Sequence, residues 1–356
     1  DYYSLYGVFA SCREKVAPLS VSDVRDDAFD AELKKRSDAL ETLRQERRAS
    51  TSARVRSRIG DYLHAQLELQ KYPEEGFDQI FSSDDLLPAY VHRWRDYLRD
   101  AGLRNDPVFV AWHRYQAIPE DEFAQRTAKI TAELRDLSPD SIHPRVAEAF
   151  TTPAADFNEV ITRYATLFQS IDAQWQAELK EAEAVGVVPE SMADSKDEKL
   201  RRLMYGPGSL CEVPDEAVIH TEYDVDSATC NELWKLQSEV DRLIINAASE
   251  PRYATFIEDR EVPSEPRIFK RGNPAEKGDD IPRQFLQLLS GPDRKPFEHG
   301  SGRLEMAQAI IDPTNPLTAR VMVNRVWAHH FGVGLVATPG DFGVRAEPPS
   351  HPELLD

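Results

Sequence analysis

Five polar residues near the end of the chain, Asn324, Arg325, His330, Asp341 and His351, have the residue types that support chemistry. Imidazole and carboxylate together can hold a divalent metal or exchange protons, so His330, Asp341 and His351 fit metal binding or acid/base work. No HExxH, HxH or nucleophile-elbow spacing accompanies them, and no metal or cofactor ligand is assigned. His329 and His330 are adjacent, so on a helix they point ~100° apart and do not readily share a metal. Asn324 stands on an apolar face between Arg320 and Arg325. A buried Asn must be hydrogen-bonded, so it either fixes local backbone or faces a polar site. The competing reading of all five is structural hydrogen bonding and surface placement. The other histidines, at 64, 92, 113, 143, 220 and 299, are scattered and read as structural.

Two helices must present these residues. Gly302 to Ile311 carries Leu304, Met306, Ala307, Ile310 and Ile311, and Asp312-Pro313 stops it. Asn315 is then an N-cap with Pro316 at the first helical position. Leu317, Val321, Asn324, Trp327, Ala328 and Phe331 make the next face, ended by Gly332 or Gly334. The loop beyond holds Asp341, His351 and Glu353.

Upstream, the chain is predicted to be a helical array. Tyr2 to Ser11 reads as a buried helix or strand. Phe29 to about Gln70 reads as a long helix or helical hairpin with a thin apolar stripe. Leu87, Tyr90, Val91, Trp94 and Leu98 follow helical spacing, as do Phe123 to Leu137 and Phe157 to Leu179. Pro107, Pro119, Pro139, Pro144 and Pro153 mark the breaks. Their aromatic stripes read as core, the alternative being a cofactor-binding box. Residues 186–214 read as a connector and Cys230–Ile245 as a further helix. One or two short strands are expected within Tyr253–Phe269, followed by a turn at Arg271–Pro274 and loop to Pro296. The fold class is therefore mainly α, with a small β-containing segment around 253–275. The domain reading is 1–185 helical, 186–250 connector and helix, 251–300 β/loop, and 301–356 the start of a C-terminal domain.

With 356 residues, 41% apolar and 29% charged, the composition is that of a globular protein. A formal charge of −19 argues against nucleic acid, because phosphate binding needs a basic footprint. The clustered cations from Lys34 to Arg58 read as the solvated face of a long helix, the alternative being a patch for an acidic partner. Nothing approaches the ~20 apolar residues of a membrane span. Cys12, Cys211 and Cys230 form no CxxC or CxxCH; Cys211 and Cys230 either pair or stay as buried thiols. DYYSLYGVFAS does not read as a signal peptide, and the chain reads as a fragment.

NPLTARVMVNRVWAHHFGVGLVATPGDFGVRAEPPSHPELLD, with SGRLEMAQAIIDPTNP before it, resembles the start of a domain of unknown function (number 1553) found in planctomycete-type bacteria. DYYSLYGVFASCREK resembles the end of a companion domain (number 1549), and RIFKRGNPAEKGDDIPRQFL the β segment between them. The resemblance implies an exported, periplasmic or cell-surface protein, often with a cytochrome-c-like module. Any haem would sit on that module, outside this chain. It transfers no catalytic residue. A structural or interaction region with a protein or polysaccharide partner is the reading favoured. The alternative is part of an extracytoplasmic enzyme, oxidoreductase or polysaccharide-related, with its site in the C-terminal domain.

Overall fold

The computed structural model describes residues 1–18, 27–72, 80–186, 189–247, 253–260, 263–264, 266–272 and 277–355. Helix α1 (Tyr2–Ala10) leads into strand β1 (Cys12–Pro18). A run of helices follows: α2 (Asp27–Ser57), α3 (Ile59–His64), α4 (Pro88–Arg104), α5 (Val110–Gln116), α6 (Phe123–Arg135) and α7 (Pro144–Ala149). It continues with α8 (Phe157–Val185), α9 (Ser195–Met204), α10 (Val218–Thr221) and α11 (Ser227–Ile245). Strands β2 (Tyr253–Asp259), β3 (Arg267–Phe269) and β4 (Lys277–Asp280) come next. Four helices close the chain: α12 (Gln287–Ser290), α13 (Arg303–Ile311), α14 (Pro316–Phe331) and α15 (Pro352–Leu355). The architecture is mainly α with a small β portion, as the spacing predicts; the described residues form two small antiparallel sheets, and β1 and β4 lie outside the 253–275 segment expected to hold the strands.

The chain divides into two compact units, Asp1–Val21 with Arg252–Asp356, and Ser22–Pro251. The second is inserted into the first, and the β1–β2 ladder shows where. Pro18, where the chain leaves β1, is the register partner of Tyr253, where it returns. Within the inserted unit α2 and α11 run antiparallel, because Arg36 donates to the Glu239 carbonyl, Arg47 pairs with Glu232 and Arg54 with Asp226.

The inserted unit has an aromatic centre. Tyr90, Val91, Trp94, Phe109, Trp112, Tyr164 and Phe168 are all buried. Phe109 stacks on Tyr164 with centroids 5.3 Å apart, and Trp94 meets Phe168 edge-on at 5.7 Å. The Tyr164 hydroxyl donates to the Val108 carbonyl at 2.8 Å, so its burial is satisfied. Asp156 caps α8 by accepting from Glu159 N, and Gly186 ends that helix in the left-handed region.

Three expectations change here. Tyr2–Ala10 forms a helix, but it is buried on one side alone: Ser4, Gly7 and Val8 are covered while Tyr2 is 73% and Phe9 58% exposed. Residues 186–214 are more than a connector: α9 buries Leu200 and Met204, and Cys211 and Val213 lie in the core. The cationic stretch is not simply a solvated face. Arg44, Arg48, Arg54 and Arg56 bond to Asp215, the Val213 carbonyl, Asp226 and Glu212, because those acceptors fold back across α2. All three cysteines are free thiols. Of the Arg271–Pro274 turn, Arg271 (φ 54) and Gly272 (φ 77) adopt left-handed backbone, and Asn273 and Pro274 lie outside the described residues.

Two acids at the start of α9, Asp197 and Glu198, are held by arginines. Asp197 is 1% exposed and accepts from Arg145 Nε and Nη2, each at 2.7 Å. Glu198 accepts from Arg201, Arg202 and the Met192 N–H. The Arg201 guanidinium, ahead of an opposing burial effect, holds the Glu198 carboxyl down at about 2 against an ordinary 4.5. A carboxyl depressed on folding stabilises fully above its unfolded value and loses that contribution as pH falls toward the folded one. Glu198 should therefore contribute ~1–2 kcal/mol, after allowing for solvent screening, that disappears between pH 4.5 and about 2. Urea midpoints at neutral and acid pH test this, and Glu198→Gln should flatten the acid limb.

Candidate functional site

Asn315 sets up the C-terminal segment. Its Oδ1 accepts from Leu317 N at 3.1 Å and its Nδ2 donates to the Ile310 carbonyl at 3.0 Å, so one side chain joins α13 to the start of α14. Two turns on, Asn324 is 1% exposed. Its Oδ1 accepts from Val336 N at 2.8 Å and its Nδ2 donates to Val336 O at 3.1 Å. The amide thus satisfies both backbone groups of one buried loop residue. Gly334 permits the approach, since a Cβ there would lie 2.6 Å from Asn324 Oδ1 and 2.7 Å from Val336 O. Leu335, Val336 and Leu355 form a small core with Trp327, Phe342 and Ala346 packed against it.

Arg325 is exposed and lines a shallow cleft of about 190 Å³ with Val321, Asn324, Ala328, His329 and Pro339. His329, rather than His330, is the histidine in this cleft. His330 is exposed, with its ring 6.3 Å from Phe331. Asp341 closes a turn: Oδ1 accepts from Gly343 N at 2.8 Å and its carbonyl from Thr338 Oγ1 at 2.9 Å. His351 lies 6.2 Å from the Trp327 ring, near Ser350 Oγ at 3.1 Å, and its carbonyl accepts the first bonds of α15. The structure therefore brings Asn324 and Arg325 into one cleft, while His330, Asp341 and His351 take other local contacts. Among the described residues no three His, Cys, Asp or Glu side chains are grouped to hold a metal ion.

A polar junction that sequence reasoning missed precedes this segment. Asp259 at the end of β2 accepts from Ser301 N (2.9 Å), Ser301 Oγ (2.7 Å) and the Arg303 guanidinium (2.7 Å). Arg303 also donates to the Ile257 carbonyl at 3.0 Å. Burial works to raise the Asp259 carboxyl, but these donors outweigh it and hold it below the ordinary carboxylate value. The signal available was an acid closing a strand and a Ser-Gly-Arg opening a helix; nothing in the spacing joined them. Residues 302–356 match the family model PSD1: Protein of unknown function (DUF1553). No curated protein and no solved structure matches the chain. The PSD1-matched segment begins at Gly302, whose positive φ of 86° turns the chain into α13 directly after Ser301. Asp259 thus ties β2 to the first turn of the PSD1 match. Asp259→Ala should cost ~1–3 kcal/mol through lost charge-assisted hydrogen bonds. Protease nicking around Ser301, faster in the variant, is the measurement that checks it.

The apolar faces of the PSD1-matched helices are largely uncovered. Leu304 is 70%, Ile311 72% and Phe331 66% exposed, and Met322 and Val326 add to them. Leu304, Ile311 and Phe331 belong to the faces read from the spacing, whereas Met322 and Val326 lie outside them, and the described residues supply no neighbour that buries these side chains.

Proposed function

We propose that this chain is a non-catalytic structural or interaction region of an exported bacterial protein of the planctomycete type. In the full-length context it joins the end of the companion domain (number 1549) to the PSD1 domain, with a cytochrome-c-like module elsewhere. The observation that supports this reading is the use made of polar groups around α14. Asn324 is committed to Val336 backbone and Asp341 to its own turn, so two of the five candidate side chains act as braces. Exposed apolar faces on α13 and α14 fit an interaction region equally well. Haem, on this reading, is carried by the cytochrome-c-like module. A protein or polysaccharide is the partner class.

The second reading is part of an extracytoplasmic oxidoreductase or polysaccharide-related enzyme, and the cleft shared by Asn324, Arg325 and His329 favours it. Arg325→Ala and His329→Ala in the full-length protein distinguish the two. The interaction reading expects retention of the partner or polymer to survive both substitutions, with no turnover to lose. A turnover abolished by either substitution, with folding intact, would replace it with the enzyme reading.

A further inference from the structure

Residues 205–226, between α9 and α11, cross α2 and α4 with little regular structure of their own beyond the four residues of α10. Their backbone hydrogen bonds run mostly between near neighbours, such as Ser209 to Gly206, His220 to Ala217 and Asp224 to Thr221. Side chains attach the segment to the helices. Arg44 donates to Asp215 (2.6 Å) and to the Glu216 carbonyl (3.1 Å), and Arg48 to the Val213 carbonyl (3.0 Å). Arg56 reaches Glu212 (2.5 Å), while Arg93 takes both the Glu212 carbonyl (2.8 Å) and Asp224 (2.5 Å). Ser52 and Tyr90 add bonds to Val213 N and the Asp224 carbonyl. Cys211, within the segment, is fully buried in the cluster that holds Tyr62 and Tyr90.

We propose that residues 205–226 are a strap that opens as a unit while the helices beneath stay folded, with the arginines of α2 and α4 setting how often it does so. Proteins open in contiguous units at free energies from near zero up to that of full unfolding, and a segment with little regular structure of its own can form one such unit. The buried Leu210, Val213, Val218 and Val225 close the strap against the helices. The arginine contacts register its backbone, and Arg44 and Arg48 on α2 make theirs to Asp215, Glu216 and Val213, so removing those two loosens the strap and leaves the aromatic side chains in place. Opening uncovers the Cys211 thiol. Burial keeps that thiol far above its ordinary pKa in the closed form, so its reaction reports opening.

The test uses the full chain with Cys12→Ser and Cys230→Ser, leaving Cys211 as the sole thiol. Labelling by 5,5′-dithiobis(2-nitrobenzoate) is followed against urea, beside helix unfolding by circular dichroism. The strap predicts labelling in the native range with a urea dependence well below that of helix unfolding. It also predicts labelling about tenfold faster in Arg44→Ala/Arg48→Ala, with the helix midpoint little moved. Labelling that carries the full urea dependence of helix unfolding would overturn the proposal, as would a rate unmoved by the double substitution. Should the double variant fail to fold, the urea dependence of the parent decides.

Discussion

Phe109→Ala is expected to destabilise the inserted unit by about 3–5 kcal/mol. Phe109 is fully buried and sits where four rings converge: Tyr164 at 5.3 Å, Tyr97 at 5.7 Å, and Trp94 and Phe168 each at 6.2 Å. Truncation removes the transfer free energy of the ring and leaves a void that α4, α5 and α8 cannot all close upon. The neighbours are themselves rings with few rotamers, so relaxation is limited and the cavity contribution stays large. Phe109→Leu should regain most of the loss, because volume is nearly kept. Urea midpoints by circular dichroism on residues 22–251 measure both, and the fragment should unfold in one cooperative transition. A loss below about 1 kcal/mol for the alanine variant would place the packing centre elsewhere.

That core was legible because helices advertise themselves locally. Tyr90, Val91, Trp94 and Leu98 recur at helical spacing, and each is buried. Proline breaks at Pro107, Pro119 and Pro144 separate helices as expected, with Pro144 at the first position of α7. The stretch to about Gln70, read as a long helix or helical hairpin, breaks at Arg58, and α3 carries Gly60 against α8, where a Cβ would come 3.1 Å from Ala165. A close approach between helices leaves no periodic mark. Strand β1 was invisible for a related reason. Cys12–Pro18 shows no apolar alternation, and its partner β2 lies across the whole inserted unit, so pairing such as Arg13 with Glu258 is wholly non-local. The arginines of α2 were legible as charges but not as contacts, since Asp215 stands 171 residues from Arg44. At the candidate site the residue types were readable and their partners were not: His330 was favoured on type, whereas the helix turns His329 toward Arg325.

Asn324→Ala should cost the C-terminal segment ~2–4 kcal/mol, because it orphans two backbone groups at once. Val336 is 3% exposed, and its N–H and C=O both bond to this amide. Water cannot easily replace the side chain there, so the penalty is that of unsatisfied buried groups rather than of two ordinary hydrogen bonds. Asn324→Asp should fail as well, since one carboxylate oxygen would face the Val336 carbonyl without a proton to share. Gly334→Ala attacks the same bracket from the opposite side, through the Cβ that would crowd Asn324 Oδ1. Hydrogen exchange at the Val336 amide reads the bracket directly: protection should collapse in all three variants while amides of the inserted unit keep theirs. The stability measurement also bears on function, because a residue that braces backbone and one that meets a substrate respond differently to removal. Protection retained in Asn324→Ala, together with loss of a turnover in the full-length protein, would show that the amide serves the cleft beside Arg325 and not the backbone of Val336.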